Sequence, residues 1–211
     1  MKYWFFALVA CYFVGAASVI SKANSAEKPV STPVSPVIRL HTPETGEFFC
    51  TAVIVSPHLA LTAAHCVVNL TMFDAITVRD STGKFVTTAR VAGLNERADY
   101  AIIRGNFTRT QRLKAETDPG KILKMVMDQK RQIIACGYAW SGNMFCSTVE
   151  HRHMMIFQIA GTGFMYPGMS GGPVIDVATQ TVVGVNSRVT ETDIVFSPII
   201  EIYKACNVRP E

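Results

Sequence analysis

Twelve short segments, rich in β-branched and apolar residues and bounded by turn formers, constrain this chain most strongly. The first six are Val37–His41, Cys50–Val55, Leu59–Thr62, Ile76–Arg79, Lys84–Val91 and Tyr100–Arg104, with Ser56-Pro57-His58 turning the second into the third. The other six are Gln132–Tyr138, Phe145–Val149, Met154–Ile159, Pro173–Asp176, Thr181–Asn186 and Asp193–Phe196. Segments of this length and spacing read as strands of a sandwich or barrel. Closing six antiparallel strands into a barrel removes their exposed edges. The expectation is an all-β protein of two small antiparallel six-stranded barrels, one over 37–112 and one over 113–211. The polar stretch 110–121, with Asp118-Pro119-Gly120 as a turn, divides them. One short C-terminal helix follows, with Ser197 as its cap, Pro198 at its first position and residues 199–205 as its body.

Before the strands lies a different composition. Lys2 precedes an uncharged, mostly apolar run over 3–20, and the small residues Ala23-Asn24-Ser25 follow. Such a segment reads as a secretory signal over 1–25 or as an uncleaved membrane anchor, with 3–20 as the part that associates with lipid. Leu8-Val9-Ala10-Cys11 resembles a lipoprotein cleavage box, but a leader of ten residues is too short for one. In each case the remainder lies outside the cytosol: secreted, periplasmic or extracellular, and tethered if the segment stays. Residues 26–36 hold three prolines among valine, serine and threonine, an extended tether. Removing 1–25 takes away Lys2 and Lys22 and no acid, so the surplus of bases over acids falls from four to two. That balance, with no long basic run, argues against nucleic acid as a partner.

Five cysteines remain beyond residue 25. Cys136 and Cys146 suit a staple across neighbouring strands, and Cys206 is left as a free thiol or an intermolecular partner. His151 and His153 flank Arg152, but two ligands without a third do not make a metal site, and no metal is expected. Asn69-Leu70-Thr71 and Asn106-Phe107-Thr108 match glycosylation acceptors.

Chemistry concentrates in Gly168-Met169-Ser170-Gly171-Gly172-Pro173. Glycines permit positive φ and close backbone approach, so this run can expose a hydroxyl and aim main-chain N–H groups into one small space. Acyl transfer needs that combination. A serine hydroxyl also needs a base and a group that orients the base. Thr62-Ala63-Ala64-His65-Cys66 and Ala98-Asp99-Tyr100-Ala101-Ile102-Ile103 supply the residue types upstream.

These three motifs, in the order His, Asp, Ser, resemble the trypsin/chymotrypsin-like serine proteases over about residues 36–206. The resemblance implies a chymotrypsin-like double barrel and an endopeptidase acting on proteins or peptides without a cofactor. Ser170 would attack the carbonyl, His65 would carry the proton, and Asp99 would hold the imidazole. The N–H groups of Gly168 and Ser170 would form the oxyanion hole. The resemblance also implies a disulfide between Cys50 and Cys66, and a specificity pocket based on Phe164 and Met165. Ser187, Arg188 and Val189 would form that pocket's wall, with Ile194 opposite. None of these is acidic, so apolar residues are expected before the scissile bond rather than Lys or Arg.

Digestive members carry an aspartate directly before the nucleophile, which pairs with a newly cut amino terminus. Here that position is Met169 and no Arg-Ile-Val-Gly-Gly sequence precedes the domain. The chain therefore resembles HtrA-type and other non-digestive peptidases, with no such activation cleavage expected. The competing class is a protease fold kept as a binding module without turnover; such proteins usually lose a triad residue. An α/β-hydrolase esterase would need serine first and strand–helix alternation, which this order and pattern lack.

Overall fold

The computed structural model of the chain describes residues 36–70, 74–155, 157–191 and 193–199. The N-terminal segment, most of the proline-rich tether, Cys206 and the expected helix body from residue 200 lie outside them. No helix among the described residues is long and apolar enough to cross a membrane.

Six strands form a closed barrel: β1 (Val37–His41), β2 (Phe48–Ile54), β3 (Leu59–Thr62), β4 (Ile76–Arg79), β5 (Phe85–Asn95) and β6 (Tyr100–Arg104), hydrogen-bonded in the order β1-β2-β3-β6-β5-β4. Alternation fills it: Ile38 and Leu40 of β1, Ala52 and Ile54 of β2, and Ala101 and Ile103 of β6 point into one core. The intervening Val53, Leu61, Tyr100 and Ile102 belong to the other core, which the second half of the chain completes. Burial on both faces explains the unbroken apolar runs Ala52-Val53-Ile54, Leu59-Ala60-Leu61 and Tyr100-Ala101-Ile102-Ile103.

After a two-residue strand, β7 (Lys114–Ala115), come a helix and seven more strands: β8 (Ile133–Tyr138), β9 (Met144–Val149), β10 (His151–Met154), β11 (Ile159–Gly161), β12 (Pro173–Asp176), β13 (Thr181–Val189) and β14 (Ile194–Pro198). Their order is β10-β11-β14-β13-β12-β8-β9, with β7 parallel to β13. Only Glu150 separates β9 from β10, and its carbonyl accepts from Thr162 N–H beyond β11. One bent strand therefore pairs with β8 at its first half and with β11 at its second. The sheet curls on itself, and six strands line the second core once β9 and β10 are counted as one. The expected chymotrypsin-like fold is what the chain adopts, as one closed barrel and one curled sheet with β7 as an addition.

Three local expectations fail. The segment 154–159, expected as one strand, is the tip of the β10–β11 hairpin, closed by Met155 N–H on the Gln158 carbonyl at 2.8 Å. Asp118-Pro119-Gly120 starts a helix, α1 (Pro119–Met127), rather than a turn. The Asp118 carboxylate accepts from Gly120 and Lys121 N–H at 2.8 and 3.2 Å, and Pro119 opens the first turn, where its missing N–H is harmless. Ile122, Met125 and Val126 form the buried face, at the 3- and 4-residue spacing of a helix. Ser197 and Pro198, expected to start the last helix, end β14 instead.

Candidate active site

Four elements converge where the two barrels meet. His65 sits on a 3-10 turn (Ala64–Cys66) directly after β3. A disulfide from Cys66 to Cys50 on β2 ties the turn back to the barrel, with Cα atoms 6.1 Å apart. The second expected disulfide, Cys136–Cys146, joins directly opposed residues of β8 and β9. The sulfurs of Cys50 and Cys66 and the His65 ring lie within 4.8 Å of one another, but both sulfurs are bonded in the disulfide. His151 is half-buried and His153 exposed on β10.

Asp99 ends the turn between β5 and β6. Asn95 Oδ1 accepts from Ala98 N–H at 3.0 Å, and the Glu96 carbonyl accepts from Asp99 N–H at 3.2 Å. Asp99 itself has φ +53°, which a non-glycine residue adopts only when its surroundings hold it. Its carboxylate faces His65 twice: Oδ1 accepts from the His65 backbone N–H at 3.0 Å, while His65 Nδ1 lies 2.9 Å from Oδ2 and 3.0 Å from Oδ1. The His65 side chain is 47% exposed and that of Asp99 14%, so the histidine bridges a buried carboxylate and open solvent. Burial pushes the Asp99 carboxyl up. Hydrogen bonds from the His65 ring, Ser187 and the His65 backbone outweigh this and hold it below the usual carboxylate range. Asp99 is thus a carboxylate at neutral pH, and an acceptor only. Nδ1 of His65 must then carry the proton, leaving Nε2 with a lone pair.

The Ser170 loop is stitched to the first barrel by Thr51 of β2. Thr51 N–H donates to the Ser170 carbonyl at 2.9 Å, and its hydroxyl donates to the Gly168 carbonyl at 2.8 Å while accepting from Tyr138 N–H. Gly171 has φ +78°. A Cβ there would lie 2.1 Å from Thr62 Oγ1 and 2.8 Å from the Ala63 nitrogen, so the residue after Ser170 is packed on the segment leading into His65. Among the described residues no hydrogen bond joins the His65 ring to the Ser170 hydroxyl.

Peptide orientations around the serine are fixed on one side. The Pro167 carbonyl accepts from Trp140 N–H at 3.0 Å, and the Met169 carbonyl accepts from Gly172 N–H at 3.0 Å and from Asn186 Nδ2 at 3.2 Å. Because each peptide is planar and trans, the N–H groups of Gly168 and Ser170 point the opposite way. Among the described residues neither donates within the protein, whereas those of Met169, Gly171 and Gly172 all do. Two backbone donors beside one hydroxyl is the arrangement that stabilises a developing oxyanion.

The residues expected to form the pocket divide into two groups. Phe164 is 45% exposed with its ring 5.4 Å from that of Tyr166, Met165 is partly buried, and Arg188 and Val189 are exposed at the end of β13. Ile194 is buried, and the space above Gly163 is closed by Ile194 Cδ1 and Ser147 Oγ. The Ser187 side chain is turned to Asp99 instead. It is buried, and its hydroxyl donates to Asp99 Oδ2 at 2.5 Å. Thr51, Asn186, Gln158 and Ser197 also hold the site and had no motif to reveal them, since each acts through a contact distant in sequence.

A family model described as a trypsin-like peptidase domain matches residues 50–185, which includes all three motifs. The chain belongs to the trypsin-like peptidase family. Solved structures agree in fold. An HtrA-type protease, AlgW with a decapeptide, superposes with a TM-score of 0.67 at 16% identity, over 84% of this chain and 65% of that one. The serine endoprotease from Yersinia pestis gives 0.67 at 15%, over 82% and 62%. The active form of the Rv3671c protease from M. tuberculosis gives 0.65 at 19%, over 87% and 86%. This chain thus spans under two thirds of the length of the AlgW and Yersinia pestis chains. A comparison with curated proteins finds no match. Its fold is the chymotrypsin-like one shared with these solved structures.

Proposed function

We propose that this trypsin-like peptidase cleaves proteins or peptides outside the cytosol, with Ser170 as nucleophile, His65 as general base and acid, and Asp99 as the group that orients His65. The observation that carries this reading is the Asp99 carboxylate, which accepts from both the backbone N–H and the ring of His65. It fixes the tautomer whose Nε2 can take the Ser170 proton. Ser170 Oγ then bonds to the substrate carbonyl carbon, and the carbonyl oxygen becomes negative against Gly168 and Ser170 N–H, worth about 3–4 kcal/mol per donor in comparable enzymes. His65 returns the proton to the leaving amine, and water repeats the sequence on the acyl-enzyme. The hydrogen bond from Ser170 to His65 forms when substrate is bound, as catalytic contacts often tighten only in the complex.

Phe164, Met165 and Val189 supply apolar surface with no carboxylate among the residues around Gly163, which supports a preference for apolar side chains before the scissile bond. Peptide substrates also accord with the decapeptide bound to AlgW. Met169, fully buried and accepting from Tyr166 N–H through its sulfur at 3.2 Å, fills the position that in digestive members awaits a new amino terminus. The peptidase is therefore active without that cleavage. The apolar run over 3–20 and the two disulfides support secretion or membrane tethering.

A quenched fluorescent peptide library incubated with wild type and with Ser170→Ala tests the proposal. Cleavage after apolar residues by wild type alone is the expected result. Dominant cleavage after Lys or Arg would overturn the specificity, and equal cleavage by Ser170→Ala would overturn the mechanism.

A further inference from the structure

We propose that Gln158 is a positioning residue of the active site, whose side-chain amide commits the Ser187 proton to Asp99 and ties the β10–β11 hairpin to the orientation of His65. The inference rests on the triad reading above. Gln158 and Ser187 are 5% and 1% exposed, with Gln158 Nε2 2.9 Å from Ser187 Oγ. Ser187 Oγ is in turn 2.5 Å from Asp99 Oδ2. A serine hydroxyl has one proton and two lone pairs. The Asp99 carboxylate can only accept, so the single proton of Ser187 must point to it and the Ser187 oxygen must receive a donor. The NH2 of Gln158 is that donor; its carbonyl in the same place would compete with Asp99 for the proton. A chain of donors thus runs from Gln158 through Ser187 to Asp99, each bond polarising the next, and ends on the carboxylate face that meets His65.

A second contact couples the same hairpin to the same turn. The Arg97 guanidinium lies over the Phe157 ring at 4.7 Å, two residues before Asp99 and one before Gln158. Ser197 of β14 braces the far side, donating to the carbonyls of Ala98 and Asp99. Asp99 is therefore held at φ +53° from the hairpin, from β13 and from β14. The charged and titratable groups on the surrounding elements are His65 itself, Glu96 and Arg97 of the turn, Arg188 of β13, and His151, His153 and Arg152 of β10, the last pairing with Asp193 at 3.2 Å. Glu96, Arg97, Arg152 and Arg188 are all exposed. The buried face of the carboxylate is thus served by neutral donors, and Gln158 is the one that the hairpin contributes.

The test is the rate at which a fluorophosphonate probe labels the full chain, followed against pH, for wild type, Gln158→Met, Gln158→Glu, Ser187→Ala and Gln158→Met with Ser187→Ala. This readout needs no knowledge of the natural substrate. With Ser187 less firmly directed, more negative charge faces the imidazole, so the acidic limb of the profile should move to higher pH. Gln158→Met should show that shift with labelling slowed about three- to tenfold, the weight of one hydrogen bond. Gln158→Glu should move the limb further in the same direction. On the Ser187→Ala background, Gln158→Met should change the rate less than about twofold, because the two residues act in series. A limb that stays in place in Gln158→Met, or losses that multiply in the double variant, would overturn the inference while Ser170 labelling in wild type left the triad standing. Absence of Ser170 labelling in wild type would overturn both.

Discussion

Replacing Asp99 by Asn changes one atom and should remove most of the activity, for a reason that can be worked atom by atom. Both carboxylate oxygens receive donors: Oδ1 takes the His65 backbone N–H at 3.0 Å and Oδ2 takes the Ser187 hydroxyl at 2.5 Å. An asparagine must present its NH2 to one of those places. The backbone N–H cannot turn into an acceptor, whereas the Ser187 hydroxyl can rotate, so the amide oxygen takes the Oδ1 place and NH2 the Oδ2 place. That NH2 then faces His65 Nδ1, which lies 2.9 Å from this site, and donates to it. The proton of the neutral imidazole moves to Nε2, and the ring can no longer accept from Ser170. The same exchange in a Ser-His-Asp triad lowers turnover by about 10⁴, equivalent to about 5 kcal/mol of transition-state stabilisation. The assay is kcat/KM near neutral pH on the best library peptide, with thermal unfolding as a control for folding. A loss below about tenfold in a folded protein would refute the tautomer argument.

Three further outcomes follow from packing and charge. Gly171→Ala introduces a Cβ 2.1 Å from Thr62 Oγ1 and 2.4 Å from the Thr51 carbonyl at φ +78°, and should lower stability in urea by about 3 kcal/mol or more; an unchanged midpoint would contradict the docking of the Ser170 loop. Asp176 is fully buried against Arg131 at 2.7 Å. Burial pushes its carboxyl up, but Arg131 and Thr179 hold it below the ordinary range. A depressed carboxylate contributes stability above its unfolded pKa and loses it as pH falls through the folded value. Arg131→Met should therefore cost about 3 kcal/mol at neutral pH and progressively less toward acid; a penalty that grows on acidification would refute the sign. Asp118→Ala removes the cap of α1 and should cost about 1 kcal/mol by thermal or urea unfolding, with labelling of Ser170 unaffected.

The parts of this protein that sequence makes legible are those governed by short-range chemistry. Strands such as Ile76–Arg79 and Pro173–Asp176 stand out because turn formers bound them, and the proposed triad residues stand out because each carries its own local frame. The helix at Pro119 was obscured because aspartate, proline and glycine serve a turn and a helix start alike, and only the later spacing of Ile122, Met125 and Val126 separates them. The hairpin tip at 155–158 lies within an apolar run that hides its turn. The family resemblance places Ser187 on a pocket wall, but it is the last buried residue of β13 before Arg188 and Val189 emerge, and its hydroxyl reaches Asp99 across 88 residues, a contact no local pattern encodes. Thr51 and Asn186 hold the Ser170 loop across separations of 117 and 17 residues, which no local pattern encodes.

Everything here depends on Ser170 being the activated hydroxyl. Treating the folded chain with a fluorophosphonate and mapping the adduct by peptide mass spectrometry measures that directly. One adduct on Ser170 in wild type, lost in Ser170→Ala and strongly slowed in His65→Ala, is the expected result. A folded wild-type protein that carries no adduct, or carries it on another serine, would contradict the account.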